Sequence, residues 1–317
     1  MSDSRTPLGV FLLAYGTPEK LDDVEEYYTN VRKGRKPEPE KVEELRERYA
    51  MVGGRTPLLE ISQSTAQGLQ NRLEQAYPGQ YKVYLGMKYW HPYIADVLQE
   101  MAQDGITDAI GLVLAPHYSK MSVGGYRDYV EKGQERLDTP INIQVIESWQ
   151  ENAAFRRMIA ERITTTMQQF PAEARSQVTV LFSAHSLPER IKTWGDPYEE
   201  QLLESAAGVA ELLGLQDWRF CFQSAGATGE PWLGPDICDY MDELAQEGKR
   251  YILSVPFGFV SEHLEIFYDI DYEAQQKAEE HGMMLHRIRM PNADPEFVEV
   301  LASVVISAKG QTVATNS

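Results

Sequence analysis

The sequence is poor in cysteine, in basic residues and in long apolar runs, and each shortage excludes something. The chain of 317 residues has two cysteines, Cys221 and Cys238. They do not form a CxxC pair, so neither a disulfide framework nor an all-cysteine metal cluster can be built from them. Both read as small buried hydrophobes. Thirty Lys and Arg against 48 Asp and Glu leave a net charge of −18, which argues against a nucleic-acid partner gripped through its phosphates. No apolar run approaches the ~20 residues that span a bilayer. The opening MSDSRTPLGV lacks the charged-then-apolar layout of a secretory signal. The expectations are therefore no transmembrane segment and a cytoplasmic setting. Several signatures are missing too: GxGxxG after the first strand, GxxxxGK followed by Ser or Thr, a GxSxG elbow and HExxH. Dinucleotide oxidoreductases, P-loop enzymes and elbow-type serine hydrolases lose ground accordingly.

What is present is a regular alternation of apolar runs and helical periods. Runs at 8–14, 81–87, 108–115, 141–146, 178–183, 219–223, 251–255 and 284–288 have strand length and β-branched or aromatic character. The segments between them carry helical periodicity. That order predicts an α/β fold of two Rossmann-like domains, each a parallel sheet flanked by helices. The first domain is expected over residues 1–148 and the second over 149–317, with the C-terminal helix packing back on the first. A cleft between the halves, faced by the loops after the strands, is the expected place for a ligand.

The stretch 251–273 organises the reading. An apolar strand, Tyr251 to Val255, is stopped by Pro256 and Gly258, and a helical segment dense in acids follows. At 100° per residue Leu264, Phe267, Tyr268 and Tyr272 share one face, the expected buried face. Glu265, Asp269 and Glu273 stand at i, i+4 and i+8, a carboxylate ladder that is mildly destabilising unless a cation sits on it. A solvated acidic face explains the ladder about as well as a cation site. His185, directly after another apolar strand in SAHSLPE, offers an imidazole for metal ligation or proton transfer near neutral pH. A satisfied structural histidine is the alternative there and at His117. Tyr15 and Lys88 also sit at strand ends. Trp232 lies in a proline-flanked turn, and Arg32 and Arg48 are suited to carboxylates. The basic run Arg32-Lys33-Gly34-Arg35-Lys36 stands out against the acidic background.

Seven segments together resemble the ferrochelatase family: AYGTP at 14–18, VRKGRKPEP at 31–39, GGRTPL at 53–58, LAPHYS at 114–119, SAHSLPE at 183–189, PWLGPD at 231–236 and VPFGFVSEHLE at 255–265. The likeness runs in order from about residue 8 to 308 and is greatest to the short bacterial coproporphyrin ferrochelatases. It implies an enzyme of haem biosynthesis that inserts Fe2+ into coproporphyrin III to give coprohaem. It implies His185 and Glu265 as the catalytic, metal-binding pair, and Tyr15 as the residue facing the metal of the product. Arg32, Arg48, Thr56, Pro57 and Tyr126 are implied to hold the macrocycle and its propionates, with Lys88 and Trp232 added as substrate-binding residues. Asp269 and Glu273 become a secondary divalent-cation site, with Mg2+ as its ion. Fe2+ is a substrate, no cofactor is held permanently, and no iron–sulfur cluster is expected because the cysteine cluster of some relatives is missing. Where some relatives carry a histidine, this chain has Tyr89. A monomer is expected, with transient handover of product to a downstream haem-pathway enzyme.

The chemistry suits the residues independently. Inserting Fe2+ removes two pyrrole protons, which a histidine poised near pH 7 can accept. A neighbouring glutamate can hold the ion and favour the imidazolium. Other readings are a protoporphyrin IX ferrochelatase, a cobalt chelatase, and a non-catalytic haem or tetrapyrrole carrier with Tyr15 as ligand. The pairing of His185 with Glu265 favours a chelatase, because a carrier needs no second metal site.

Overall fold

Each of the eight apolar runs forms a strand: β1 Leu8–Ala14, β2 Tyr81–Met87, β3 Asp108–Val113, β4 Asn142–Ile146, β5 Thr179–His185, β6 Trp218–Gln223, β7 Tyr251–Val255 and β8 Met284–Arg287. The computed structural model describes residues 6–226 and 228–315. The strands make two four-stranded sheets of order β2-β1-β3-β4 and β6-β5-β7-β8, and every pairing is parallel. Central strands read as unbroken apolar runs because helices cover both faces of a parallel sheet. Val10 to Leu13 are fully buried, as are Val180 to Phe182.

The chain divides into two compact units, residues 1–114, 122–149 and 291–317 in one and residues 115–121 and 150–290 in the other. This differs from a single cut at 148/149 in two places, because LAPHYS continues into the second unit and the C-terminal segment returns to the first. The return has a packing reason. The helix Pro295–Thr315 buries Phe297, Val300, Leu301 and Val305, and Val298 fits where Gly68 of the helix Leu58–Ala76 has no side chain. Arg72 adds an ion pair to Glu299. Among the described residues no helix is long and apolar enough to cross a membrane.

Both sheets share one topology, and it locates the chemistry. From the central strand the chain steps to one side and then crosses to the other. The carboxyl ends of β1 and β3 in the first sheet, and of β5 and β7 in the second, are therefore switch points where α/β sheets accept ligands. Tyr15 follows β1. His185 closes β5, and the segment leading to Glu265 follows β7.

Candidate functional site

In the second unit His185 is fixed from two sides. The Tyr198 hydroxyl donates to its carbonyl at 3.0 Å, and its own Nδ1 hydrogen-bonds the Ser186 carbonyl. A carbonyl only accepts, so Nδ1 carries the proton and Nε2 is left facing Glu265 Oε1 at 3.6 Å. The other carboxylate oxygen of Glu265 lies 3.4 Å from Nε2 of His263. His263 is oriented in the same way, its Nδ1 donating to the Ser261 carbonyl at 2.9 Å. One carboxylate thus sits between two imidazoles of matched tautomer.

Burial works against charge at both members of the central pair, and their mutual attraction outweighs it. At His185 burial is overcome by the charge and hydrogen bond of Glu265, the Ser186 carbonyl and the charge of Asp269, so the imidazole is pushed up to about 9. Glu265, though buried, is held well below the usual carboxylate range by His185 and then His263. Each of the paired side chains keeps 32% of its surface open. The resting state at neutral pH is therefore an imidazolium–carboxylate pair.

The local backbone explains why Glu265 arrives there. Phe257 is fully buried and packs edge-on against Phe182 and His117. Gly258 lies so close to β5 that a Cβ would stand 2.5 Å from that of Ala184, which brings the turn down beside His185. Gln223 then donates to the Glu265 carbonyl at 3.3 Å and accepts from Ser183 at 2.9 Å. Trp232 is held in its turn by an Nε1–H bond to Thr228 at 2.8 Å, its ring 6.5 Å from that of His185.

The acidic segment departs from the expected α-helix. Ile266–Ala274 winds as a π-helix, and the buried stripe is Ile266, Ile270, Ala274 and Ala278. The Leu264, Phe267, Tyr268 and Tyr272 face is not buried; Tyr272 is 45% exposed. Period alone weighted the larger aromatics, whereas the close approach to β7 and its neighbours selects smaller aliphatics. Asp269 is carried inward to 6% exposure and accepts from the Ser224 hydroxyl. Burial, then the charges of Glu265 and Glu273, push Asp269 up to about 7. Among the described residues no group of three or more His, Cys, Asp or Glu is placed to hold a metal.

His117 is buried with Nε2 3.1 Å from the Ser205 hydroxyl. Burial, then Arg156, pull it down to about 3, which makes it a neutral structural histidine. Cys221 is fully buried while Cys238 is only half-buried.

In the first unit Tyr15 is 43% exposed at the end of β1, its ring 4.7 Å from Tyr89. Tyr126 is buried and its ring lies 4.7 Å from the Lys88 ammonium. Arg32 pairs with Glu38 at 2.8 Å and Arg48 with Glu44 at 3.5 Å, so a carboxylate ligand would compete with neighbouring acids. Thr56 is buried, its hydroxyl 2.9 Å from that of Thr17. That hydroxyl is therefore engaged in supporting the turn, and Pro57 caps the helix Leu58–Ala76 beside it.

The sequence reading missed His263 as the second partner of Glu265, and it missed the supporting Tyr198, Gln223 and Ser224. His263 had a usable signal, a histidine two residues before a candidate ligand. The other three had none, because their contacts span 13 to 45 positions in sequence.

Residues 7–309 match the family model described as ferrochelatase. A ferrochelatase of Herpetosiphon aurantiacus is 57% identical over 93% of this chain and 97% of its own length. A coproporphyrin III ferrochelatase of Bacillus subtilis is 42% identical over 97% of this chain and all of its own. Among solved structures, the sirohydrochlorin chelatase of Bacillus subtilis subspecies spizizenii in complex with cobalt superposes with a TM-score of 0.54 at 11% identity, covering 94% of each chain; that likeness concerns the fold. With a match across nearly its whole length, the chain belongs to the ferrochelatase family.

Proposed function

We propose that this ferrochelatase acts on coproporphyrin III, inserting Fe2+ with release of two protons. The observation that carries the insertion chemistry is the His185–Glu265 pair, with Nε2 and Oε1 3.6 Å apart at the switch point of the second sheet. Fe2+ displaces the Nε2 proton and takes the imidazole nitrogen and the carboxylate oxygen as transient ligands. Two hard or borderline donors suit Fe2+ without trapping it as a thiolate set would. As the metal moves on to the pyrrole nitrogens, the freed imidazole accepts one pyrrole proton and the other passes to water, and Glu265 stabilises the resulting imidazolium. His263 keeps the second carboxylate oxygen occupied, so Glu265 presents one oxygen to the metal.

In this reading Tyr15, Arg32, Arg48, Thr56, Pro57, Lys88, Tyr126 and Trp232 serve the tetrapyrrole. Asp269 and Glu273 serve as the secondary divalent-cation site, with Mg2+ its ion and no cofactor held permanently. The chain acts as a monomer in the cytoplasm and hands its product transiently to a downstream enzyme.

Two things support coproporphyrin III: relatives 41–44% identical that are named for it, and the basic run at 32–36 in a chain of net charge −18. Coproporphyrin III carries four propionates where protoporphyrin IX carries two. Charge-assisted hydrogen bonds to partly buried carboxylates are worth about 1.5–3 kcal/mol each. Exposed pairs are worth only about 0.2–1 kcal/mol, so two extra propionates held between these limits would give roughly tenfold to a thousandfold discrimination. The test is kcat/KM for both porphyrins in matched detergent and salt. Coproporphyrin III should be the better substrate, with Arg32→Ala and Arg48→Ala narrowing the gap. Equal values would overturn the substrate while leaving the insertion chemistry intact.

A further inference from the structure

A cavity of about 260 Å3 lies in the first unit. It is lined by the first turn of the helix Ile94–Gln103 and by Lys88, Tyr129, Lys132 and Arg136. Lys88 is the unusual member. It is 6% exposed, and its ammonium lies 5.1, 4.7 and 5.6 Å from the ring centres of Tyr89, Tyr126 and Tyr129. Those rings face the charge, but among the described residues no acceptor takes its three N–H donors and no carboxylate pairs with it. With no protein acceptor, its N–H donors are left to water or to whatever enters the cavity. Burial, then the neighbouring Lys33, bring it down to about 8 against a weaker opposite pull from the Asp128 carboxylate. Gly125 makes room for it, since a Cβ there would stand 2.5 Å from Nζ.

The other walls have the same sign. Lys132 has no ion pair among the described residues, and Arg136 reaches the one acid of the lining, Asp96, only at 3.8 Å. The helix Ile94–Gln103 begins without a side-chain cap. The amides of Asp96 and Val97 already donate to the Tyr93 carbonyl at 3.0 and 3.1 Å, so what the helix start offers the cavity is the positive end of its dipole, which favours an anion. Three cations, one acid and a helix start converge in a chain that is otherwise strongly acidic.

We propose that this cavity binds a small oxyanion, a single carboxylate or phosphate group, with Lys88 at its floor and Lys132 and Arg136 at its mouth. Lys88 also appears among the substrate-binding residues, so the source of the oxyanion is either free in solution or a propionate of the tetrapyrrole. The chemistry is the same for both.

Inorganic phosphate is the probe, titrated against chloride at constant ionic strength into the full-length, metal-free, deuterated chain. The amide resonances of Ile94, Ala95 and Tyr129 report binding. Saturable shifts with a midpoint of about 1 mM are expected, the scale of a few charge-assisted contacts. The Lys132→Gln/Arg136→Gln double variant, both positions being exposed, should raise that midpoint about tenfold, and Lys88→Met should abolish saturation. If Lys88→Met fails to fold, the double variant carries the test. Repeating the titration with coproporphyrin III bound separates the sources. Loss of the phosphate shifts assigns the cavity to a propionate, and their survival assigns it to a free oxyanion. Shifts that stay linear to ~100 mM phosphate, a range in which even weak specific sites saturate, or an unchanged midpoint in the double variant, would overturn the proposal.

Discussion

Replacing Glu265 by Gln tests the electrostatics of the candidate site most directly, because it removes one charge and keeps the shape. With Nε2 and Oε1 3.6 Å apart, an effective dielectric of about 20 makes the attraction worth about 4–5 kcal/mol, or roughly three pKa units at 1.36 kcal/mol each. Each side chain keeps 32% of its surface in contact with water, and screening reduces that figure. In Glu265→Gln the His185 imidazole should therefore fall from about 9 by about 2 units or more, to its ordinary value or below, since burial then acts nearly unopposed. The assay is an NMR titration of the His185 ring in metal-free protein. A linked effect follows in stability. The raised folded value means that protonated His185 stabilises the native state fully below about 6.5, and that this is lost as pH rises through about 9. The stability of the wild type should decline across that window, and the variant's should be flat there. A His185 midpoint that stays above about 8 in Glu265→Gln would refute the reasoning, because the Ser186 carbonyl would then be doing what is attributed to the carboxylate.

Other outcomes are expected from the same geometry. His185→Ala should abolish insertion of Fe2+ while leaving coproporphyrin III binding, followed by fluorescence quenching, within about threefold, since the arginines meant for the propionates are untouched; wild-type turnover would remove His185 from its role. Asp269 is raised to about 7 from an ordinary 3.8, so wild-type stability should fall as pH climbs from about 4 to 7. Asp269→Asn should be more stable than wild type at pH 8, by at most about 4 kcal/mol in chemical denaturation. Pairing that change with Glu273→Gln should weaken the divalent-ion dependence of the rate more than it weakens porphyrin affinity, and unchanged kinetics would return the ladder to a solvated face. Gly258→Ala should cost about 1–3 kcal/mol by overpacking, because its Cβ would meet both Cβ and Cα of Ala184; a neutral effect would show that the turn beside His185 is pliable.

Much of the fold was legible because its signals are local. All eight strands appear at apolar runs of strand length, and parallel sheets covered on both faces leave little ambiguity about which runs they are. The pair His185 and Glu265 was legible as two polar residues just past strand ends, and the switch-point rule then gave those positions meaning. What stayed hidden depends on contacts far apart in sequence. Nothing local says that the Thr56 hydroxyl turns toward Thr17 or that Tyr198 braces the His185 carbonyl. Arg32 and Arg48 were visible as carboxylate binders, but the acids that pair with them, Glu38 and Glu44, show what a ligand must displace.

The acidic segment holds the most informative discrepancy, and the reason lies in helical winding. In an α-helix, residues four apart advance about 40° around the axis, so a stripe of acids drifts steadily off its starting face. A π-helix, with about 4.4 residues per turn, reverses the sense of that drift to about −30° per step. Glu265, placed at the entry to the π segment, and Asp269 within it are one such step apart, so either winding keeps them on one side. There, after burial, the Glu265 charge is the next largest influence raising Asp269. The same winding lets Ile266, Ile270 and Ala274 bury together. A regular α-helix would satisfy the backbone at lower cost, and wide turns of this kind are found mostly where a site demands them. The demand here is local and chemical: one carboxylate must reach two imidazoles while the next acid is drawn into the protein behind it. Charge held in that line, ionised at Glu265 and half-protonated near pH 7 at Asp269, gives the segment a graded acidity that three solvated carboxylates on an ordinary helix face would lack.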